Sequence, residues 1–414
     1  MDKSTTLAPA QGEPVDAVRQ SILDRIVVVK QTETIALALS LGRTLSEDVI
    51  CPFNVPANDN SAMDGYAFFL GEPNSAALSL QIIGTIYAGR PWVGSIPTIG
   101  QCLRIMTGGV MPAQCNTVVA QEFVNVDNNQ VTVPTGQSPG QNRRFAGEDL
   151  AVGKPAIAAG KKIGPAEMGL VASLGLATVT VYRRVRVAFF SSGDEILSLG
   201  DTPRDGCIYD SNRFTLIGML SRLNVELIDM GVIADNPQAL ETAAKYAATQ
   251  ADVIISSGGV SVGAADHTRS IMQKLGEITF WQIAMRPGRP MAFGKVEEAF
   301  YFGLPGNPVA VMITFYFFVK HALERLGGNL NSDLQSVSAL SDSSIRKRPG
   351  RTEYQRARAS LNDKGQLTVA LTGQQGSGVL SSMSQANCIV VLEHNQSSVE
   401  AGDSVKVILF EGLA

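Results

Sequence analysis

The chain has few of the residues that build transition-metal sites or disulfide frameworks. Its 414 residues include three histidines, and His267, His321 and His394 lie far apart in the sequence. The five cysteines are odd in number and scattered, and no two of them form a Cys-x-x-Cys pair. These absences argue against a His-rich metal centre, a zinc finger or a disulfide scaffold, and they favour a reduced protein. A metal bound by this chain would be a hard cation held by carboxylates.

Long apolar runs and an excess of positive charge are also missing. The most apolar stretch, VAVMITFYFFV (309–319), falls short of the roughly 18 residues that span a bilayer. The polar segment MDKSTTLAPAQGEP at the N-terminus lacks the apolar core of a signal peptide. The net charge is -4, so a general nucleic-acid binder with a basic face is not expected. We therefore expect a cytoplasmic protein that binds neither membranes nor nucleic acids.

The length of the chain and the changes between helical and β-rich sequence patterns along it predict several domains. Residues 14–48 carry apolar residues at three-four spacing in VDAVRQSILDRI and again in TETIALALSLGRTL. Both segments are therefore predicted to be helical, and Gly42 is expected to stop the second helix. A further helix is predicted in GKKIGPAEMGLVASLG, within 152–182, where Pro165 suits the first turn. We expect these two segments to form one discontinuous helical linker domain. Short β-rich runs between Gly, Pro and Asn turns over 49–151 predict a small β domain.

The region 183–330 alternates apolar strands with helices. RRVRVAFFSSG, VELIDMGVI, ADVIIS and EAFYFGLPG read as strands, and the segments between them have helical periodicity. This alternation is typical of βα units around a parallel sheet with helices on both faces. Residues 331–414 return to short strands and predict a C-terminal β-barrel-like domain. The predicted fold class is therefore multi-domain α/β plus β.

The loop SSGGVSVGAADHT (256–268) follows one of these predicted strands. Ligands in open α/β sheets bind beyond the carboxyl ends of the strands. Gly258, Gly259 and Gly263 would let the backbone approach a ligand, while Ser257 and Ser261 would add hydroxyl groups. The loop matches neither a Gly-x-Gly-x-x-Gly nor a Walker A motif, and an ordinary strand-to-helix turn remains the alternative.

Carboxylates follow three of the predicted strands, at Asp194 and Glu195, at Asp235 and at Asp266. Each has an ordinary explanation, since Asp266 and Asp235 suit helix starts and the pair 194–195 suits a turn. Parallel strands place their carboxyl ends at one edge of the sheet, so the three positions together indicate a metal or acid–base site.

Positive charge is concentrated in MRPGRPMAFGK, which supplies Arg286, Arg289 and Lys295. Arginine can engage phosphate or another oxyanion with two parallel hydrogen bonds, although a solvated basic loop is the alternative. In GLPGNPVAV, Asn307 suits an N-cap and Pro308 the first helical position, which would produce a second helix start that favours anions, although capping alone explains these residues equally well.

The predicted small β domain contains three polar, turn-rich segments. They are DNSAMDGYA (59–67) with Asp64, RIMTGGVMP (104–112) with Thr107, and RRFAGEDL (143–150) with Asp149. On their own they would be assigned to a hairpin turn at Asp64-Gly65, a glycine turn and a solvated ion-pair cluster.

Taken together and in this order, these segments resemble the molybdopterin molybdenumtransferase family, from about residue 14 to the C-terminus. The motifs are DNSAMDGYA, RIMTGG, RRFAGEDL, FFSSGDE, YDSNR, SSGGVSVGAADHT, MRPGRPMAFGK and GLPGNPVAV. SSGGVSVG with GLPGNP is typical of the wider group of molybdopterin-binding domains, and DNSAMDGYA with RIMTGG narrows it to the molybdenum-inserting branch. The family commonly has lysines where this chain has Arg286 and Arg289, so the positive charge is kept but an amine that could lose its proton is not.

The resemblance implies an elongated homodimer with four domains per subunit. Its reaction inserts molybdenum from molybdate into adenylyl-molybdopterin and releases AMP with the help of Mg²⁺, and the substrate would be handed over by a molybdopterin adenylyltransferase. It also implies that Glu195, Asp235 and Asp266 serve metal, molybdate or pterin in the cleft, and that Asp64, Thr107 and Asp149 act there as well. Asp64 and Thr107 would come from the partner subunit.

Substrate-binding positions implied by the resemblance are Ser257, Gly258, Gly259, Ser261, Arg286, Arg289, Asn307 and, in RPGRTEYQR, Arg351. A molybdopterin-binding scaffold and a related nucleotide pyrophosphatase are the alternative functions.

Overall fold

The computed structural model describes residues 12–258, 267–330 and 334–412. Up to residue 182 the helices are α1 (Val15–Leu23) and α2 (Pro165–Ser173), with 3-10 turns at Leu37–Leu39 and Gln121–Phe123. The strands of this part are β1 (Thr32–Ala36), β2 (Val49–Ile50), β3 (Asn60–Ser61), β4 (Gly65–Phe68), β5 (Leu78–Ile86), β6 (Gln101–Ile105), β7 (Thr117–Ala120), β8 (Asn125–Asp127), β9 (Gln130–Val133), β10 (Arg143–Arg144), β11 (Pro155–Ile157) and β12 (Thr178–Tyr182).

The second of the two helices predicted near the N-terminus does not form. Helix α1 matches the prediction and buries Val15, Val18 and Ile22, but the helix predicted from TETIALALSLGRTL is wrong. Residues Thr32–Ala36 form strand β1, which pairs antiparallel with β12. The β-branched residues of TETI and of TVTV suit a paired strand, and this pairing across the chain outweighs a weak helical periodicity.

Helix α2 begins as predicted, with Pro165 in its first turn and the Glu167 carboxylate accepting a hydrogen bond from the Gly164 N–H at 2.9 Å. Around it, the segments before and after the small β sheet share one apolar core, formed by Leu45, Val49, Cys51, Ile157, Ile163, Val171, Leu174, Val179 and Val181. Between these two segments, a six-stranded sheet in the order β7-β4-β6-β5-β9-β8 carries the loops discussed below.

Residues 186–326 form the α/β part of the fold. Its strands are β13 (Arg186–Ser192), β14 (Ile196–Leu197), β15 (Ile208–Tyr209), β16 (Glu226–Ile233), β17 (Val253–Ser257), β18 (Gly276–Gln282), β19 (Met285–Arg286), β20 (Pro290–Val296) and β21 (Ala299–Leu304). The helices are α3 (Ser211–Ser221), α4 (Pro237–Gln250), α5 (His267–Leu275), α6 (Pro308–Thr314) and α7 (Lys320–Leu326), and a π turn at Phe315–Val319 joins the last two.

The central sheet has the order β16-β13-β17-β21-β20-β18. Its first four strands are parallel, as the alternating pattern predicted, and β20 and β18 extend it with antiparallel pairings. Neighbouring residues of β13 point to opposite faces, so Phe189 joins one apolar core and Phe190 the other. The sheet is therefore buried on both sides by helices, which explains its continuous apolar strands.

The C-terminal part is a closed barrel, in agreement with the prediction of a barrel-like domain. Its elements are β22 (Val337–Ser341), β23 (Thr352–Leu361), β24 (Leu367–Leu371), α8 (Leu380–Gln385), β25 (Cys388–Leu392), β26 (Ser404–Leu409) and a 3-10 turn at Phe410–Gly412. The strands run β23-β24-β22-β26-β25, and β25 pairs again with β23 to close the ring. Strand β19 pairs with β23, which ties the segment around Arg286 to the barrel.

Within the described ranges, none of the helices is long and apolar enough to cross a membrane.

Candidate active site

A cleft of about 960 Å³ opens where the carboxyl ends of the parallel strands meet the C-terminal barrel. Its wall combines segments that are distant in sequence, namely 191–193, 195–196, 208–212, 257–258, 285–290, 305–308, 351 and 375–377, together with Asp235 and Ala310. The volume lies at the upper end of the range for small-molecule and cofactor sites. The cleft therefore has room for a large polar ligand at the edge of the sheet that the strand order predicts.

The end of β17 approaches its neighbours so closely that the residue after it must be glycine. Gly258 has a φ of +93°, and a Cβ atom on it would lie 2.8 Å from the carbonyl oxygen of Ser192. The backbone N–H of Gly258 donates to Leu304 O at 3.1 Å, and the buried Ser257 hydroxyl receives a hydrogen bond from Asn212 Nδ2 at 2.8 Å. Ser257 and Gly258, two of the predicted substrate-binding residues, thus lie in the cleft wall.

The predicted positions Gly259, Ser261 and Asp266 lie outside the described residues. Helix α5 is described from His267 onwards.

Two of the three predicted cleft carboxylates, Glu195 and Asp235, line the same cleft. Glu195 follows β13 and is exposed, and Asp235 follows β16 and is half-buried. Across the described ranges, no group of three His, Cys, Asp or Glu side chains is arranged to hold a metal ion. The predicted set includes Asp266, so the described residues bring together two of its members.

The cationic side of the cleft is formed by Arg286, Arg289 and Arg351. Between the first two, Gly288 has a φ of +94°, and a Cβ atom there would lie 2.7 Å from Thr314 Cγ2, so this tight turn also requires glycine. Arg351 donates through Nε to the buried Glu353 at 2.9 Å. Lys295 is not part of this wall; it lies over the Phe300 ring at 5.1 Å from the centroid.

Asn307 occupies the N-cap position of α6 ahead of Pro308, as predicted, but its side chain makes no capping hydrogen bond. The residue lines the cleft instead.

A buried arginine that the sequence did not single out holds part of the cleft wall in place. Arg356 is 1% exposed, and its guanidinium donates to Ser382 Oγ at 3.0 Å and to the carbonyl oxygens of Gln374, Gln375 and Gly376. Burial, assisted by the nearby Arg286, lowers the pKa of Arg356 to about 10, so it stays protonated at neutral pH. Its charge therefore stabilises the loop that supplies Gln375, Gly376 and Ser377 to the cleft.

Sequence reasoning also missed Asp210 and Asn212 as site residues, although the motif YDSNR that contains them was recognised. Asp210 caps α3 by accepting from the Arg213 N–H at 3.0 Å. Asn212 donates to Ser257 Oγ and, at 2.7 Å, to the carbonyl oxygen of Gly306, so it links the ends of β17 and β21. The YDSNR motif was the one sequence signal that could have pointed to these two residues. Taken alone, Asp210 is explained as the start of a helix and indicates no ligand.

Asp64, Thr107 and Asp149 do not line this cleft. They belong to loops of the small β sheet, where Asp64 accepts hydrogen bonds from the Thr107 N–H and hydroxyl group, both at 2.7 Å. These two bonds hold the pKa of Asp64 below its ordinary value, so its carboxylate is ionised at neutral pH. Gly65, expected in a hairpin turn, starts strand β4 instead.

The three motifs of this β sheet converge on one loop cluster. Ser61 exchanges backbone hydrogen bonds with Gly108 and Gly109, and β3 pairs with β10. Asp59 binds Arg143 through the Nε atom at 3.0 Å and also accepts from the Ala146 N–H. Asp149 is exposed at the end of this cluster, and Arg144 pairs with Glu148 at 2.6 Å. Within one chain, the predicted site residues thus fall into two groups.

Comparison with known proteins places this arrangement in a family. Family models match residues 13–175 as the MoeA N-terminal region (domain I and II), 188–325 as a probable molybdopterin binding domain and 339–410 as the MoeA C-terminal region (domain IV). A protein of Haemophilus influenzae named molybdopterin molybdenumtransferase is 39% identical over 96% of this chain and 99% of its own length. The chain belongs to the molybdopterin molybdenumtransferase (MoeA) family.

Further relatives of this MoeA-family chain agree with that assignment. A molybdopterin molybdenumtransferase of Nostoc is 35% identical over 92% of this chain and 89% of its own length. The crystal structure of a molybdopterin biosynthesis MoeA protein from Pyrococcus horikoshii superposes with a TM-score of 0.82 at 26% identity, covering 96% of this chain and 99% of that one. A gephyrin of Dictyostelium discoideum is 31% identical over 96% of this chain but 62% of its own length.

Proposed function

We propose that this protein is a molybdopterin molybdenumtransferase that inserts molybdenum from molybdate into adenylyl-molybdopterin and releases AMP. The observation that carries the proposal is the cleft at the carboxyl edge of the sheet, where Gly258, three carboxylates and three arginines line about 960 Å³. The Haemophilus influenzae relative also supports the proposal, because it is named molybdopterin molybdenumtransferase and is matched over 99% of its own length.

The arginines and the glycine loops suit the anionic parts of this substrate. Arg286, Arg289 and Arg351 would bind the pyrophosphate and molybdate oxygens, because guanidinium groups pair with such oxygens through parallel hydrogen bonds. Gly258 and Gly288 let the backbone of the wall adopt positive φ angles and pack closely against Ser192 and Thr314. In this assignment the arginines bind and orient the substrate, and none of them transfers a proton.

The exposed or half-buried carboxylates of Glu195 and Asp235 fit a hard cation such as Mg²⁺, since oxygen ligands of this kind are what it prefers. Bound there, Mg²⁺ would neutralise phosphate charge during release of AMP. Asp266 is proposed as a further member of this set.

The second group of residues would complete the site from a partner subunit. Asp64, Thr107 and Asp149 lie in one loop cluster with an ionised Asp64, but outside the cleft of their own chain. We therefore propose a homodimer in which the loop cluster of one chain closes the cleft of the other. Delivery of the substrate by a molybdopterin adenylyltransferase in the cytoplasm would precede the reaction.

A molybdopterin-binding scaffold is the alternative function, but the names of the relatives support the transferase. The polar cleft with its three arginines also favours the enzyme, because assembly alone does not need a group of cations in a cleft. A related nucleotide pyrophosphatase would not need the loop cluster around Asp64.

The test is turnover of adenylyl-molybdopterin with molybdate and Mg²⁺, followed by AMP release and by formation of active cofactor. We expect both products from the wild-type protein and loss of both in Asp64→Asn and Asp235→Asn. Mixing the two inactive variants under subunit exchange should restore about a quarter of the activity, because half of the dimers are then mixed and each mixed dimer contains one cleft with no substitution. Wild-type protein that releases no AMP would rule out the transferase, and mixtures without recovery would rule out the shared site.

A further inference from the structure

Three residues of the cleft wall each have a buried polar side-chain atom without a hydrogen-bond partner among the described residues, and two of these residues lie at the start of α3. Ser191, Asp210 and Asn212 line the cleft and are 3%, 3% and 8% exposed. Ser191 Oγ, Asp210 Oδ2 and Asn212 Oδ1 are buried and accept or donate no hydrogen bond within the described parts of the chain. Leaving such a group unpaired costs about 1–3 kcal/mol, so three in one cleft indicate a ligand that pairs with them.

The hydrogen bonds that Asn212 and Asp210 already make show that their unpaired atoms are acceptors. Asn212 uses its amide N–H groups toward Ser257 and the Gly306 carbonyl, which leaves its Oδ1 atom as an acceptor. Asp210 uses Oδ1 to accept from Arg213 N–H, which leaves Oδ2 as a second acceptor. Both acceptors therefore need N–H or O–H donors from the ligand.

The charge at this end of the cleft disfavours a phosphate group. A helix N-terminus attracts anions, but the carboxylate of Asp210 already occupies that position in α3. The cationic groups of the cleft, Arg286, Arg289 and Arg351, are supplied by other wall segments. The wall thus offers cationic groups for an anionic part of a ligand and acceptors for a part that carries N–H donors.

Resting on the proposed function, we infer that Asp210 and Asn212 bind the N–H edge of the pterin ring of the substrate. The 2-amino-4-oxopyrimidine edge of a pterin carries two donors, N3–H and the 2-amino group, and Asp210 and Asn212 each offer one unpaired acceptor. Adenine, the other ring of adenylyl-molybdopterin, offers one amino group flanked by ring nitrogens that accept. Asp210 and Asn212 are in this assignment specificity-determining residues that select and orient the pterin end.

The experiment measures binding of a simple fluorescent pterin, 6-hydroxymethylpterin, and separately of AMP, to the full chain. Asp210→Asn keeps an acceptor for the Arg213 N–H, since Asn caps helices as well as Asp, but it replaces the second acceptor by an amide donor. We expect it to weaken pterin binding about tenfold or more, as loss of one charge-assisted hydrogen bond implies, and to leave AMP binding unchanged within about twofold. A lumazine, in which a carbonyl replaces the 2-amino group, should bind wild-type protein more weakly than the pterin, and Asp210→Asn should reduce this preference because its amide N–H can donate to the carbonyl.

Two further variants separate recognition from folding. Asp210→Ser retains a capping hydroxyl without the second oxygen and should also lose pterin affinity. Asp48→Asn is the matched control, because Asp48 accepts from the Ala159 N–H at 2.8 Å outside the cleft, and it should bind pterin like wild type. Equal loss of pterin and AMP affinity in Asp210→Asn, loss of AMP affinity alone, or no pterin binding by the wild type would overturn the inference.

The outcome is also distinguishable from that of the proposed reaction. Protein that binds pterin in an Asp210-dependent way but releases no AMP from adenylyl-molybdopterin would contradict the reaction and keep the pterin contact. Protein that releases AMP while wild type and Asp210→Asn bind pterin equally would keep the reaction and contradict the contact.

Discussion

Replacing Gly258 by alanine tests whether the glycine after β17 shapes the cleft. At this position φ is +93°, a conformation that L residues with a side chain rarely adopt, and the added Cβ would lie 2.8 Å from the Ser192 carbonyl oxygen. That oxygen belongs to the backbone of the neighbouring strand, which cannot rotate away as a flexible side chain could. The substitution must therefore move the end of β17, the end of β13, or both.

The size of the effect follows from two costs. A positive φ costs an L residue about 1–2 kcal/mol, and forcing an extra methyl group into a packed site costs about 1–3 kcal/mol. Together they predict a loss of roughly 2–5 kcal/mol from the free energy of unfolding, or about 5–15 °C in Tm for a domain of this size. Because Ser192, Ser257 and Gly258 all line the cleft, activity should fall together with stability.

The assay is thermal unfolding combined with AMP release at a temperature where both proteins stay folded. Gly306→Ala is the matched control, since Gly306 lines the same cleft but a Cβ atom on it would meet nothing within 4 Å. We expect Gly258→Ala to lose both Tm and kcat/KM and Gly306→Ala to change Tm little. Equal Tm values for the two variants would refute the argument from backbone geometry.

Three other substitutions test the remaining parts of the fold and the site. Arg356→Lys should lower Tm and reduce kcat/KM, because one ammonium group cannot replace the guanidinium bonds to Ser382 and to the loop carbonyls; unchanged values in both assays would contradict a positioning role. Arg286→Ala should raise the KM for adenylyl-molybdopterin about tenfold. Measured at low and high ionic strength, the KM of this variant should also depend less on salt than that of the wild type. An unchanged KM would mean that the charge of Arg286 does not contact the substrate. Burial raises the pKa of Asp252, but the hydrogen bonds from Arg183 and the backbone of Arg186 outweigh this and leave the pKa below its ordinary value. Asp252→Asn should therefore cost about 1.5–3 kcal/mol of stability at pH 7. Denaturant titrations should show this difference shrinking as the pH falls below about 4 and on through the lowered pKa of Asp252; a difference at pH 3 that is as large as at pH 7 would contradict the assignment.

Much of the site was predictable because its residues follow strands whose apolar pattern is local. RVAFFSS, VIISS and AFYFGL identify themselves as buried parallel strands, and the residues after them necessarily meet at one edge of the sheet. Glu195, Asp235, Ser257 and Gly258 were found in this way. The helix predicted for residues 32–45 failed for the opposite reason, since the partner strand of β1 lies at Thr178–Tyr182 and leaves no trace in the local periodicity.

What the amino-acid sequence determined by itself is the alternation of strands and helices, the glycines at turns with positive φ and the family motifs, because each of these depends on residues close together in the chain. The tertiary structure alone decided that Arg356 supports the cleft loop, that Asn212 joins the ends of two strands, and that Asp64 and Thr107 lie outside the cleft of their own chain. These relations join residues separated by tens of positions, and hydrogen bonds across such distances are selected by packing and not by any local preference.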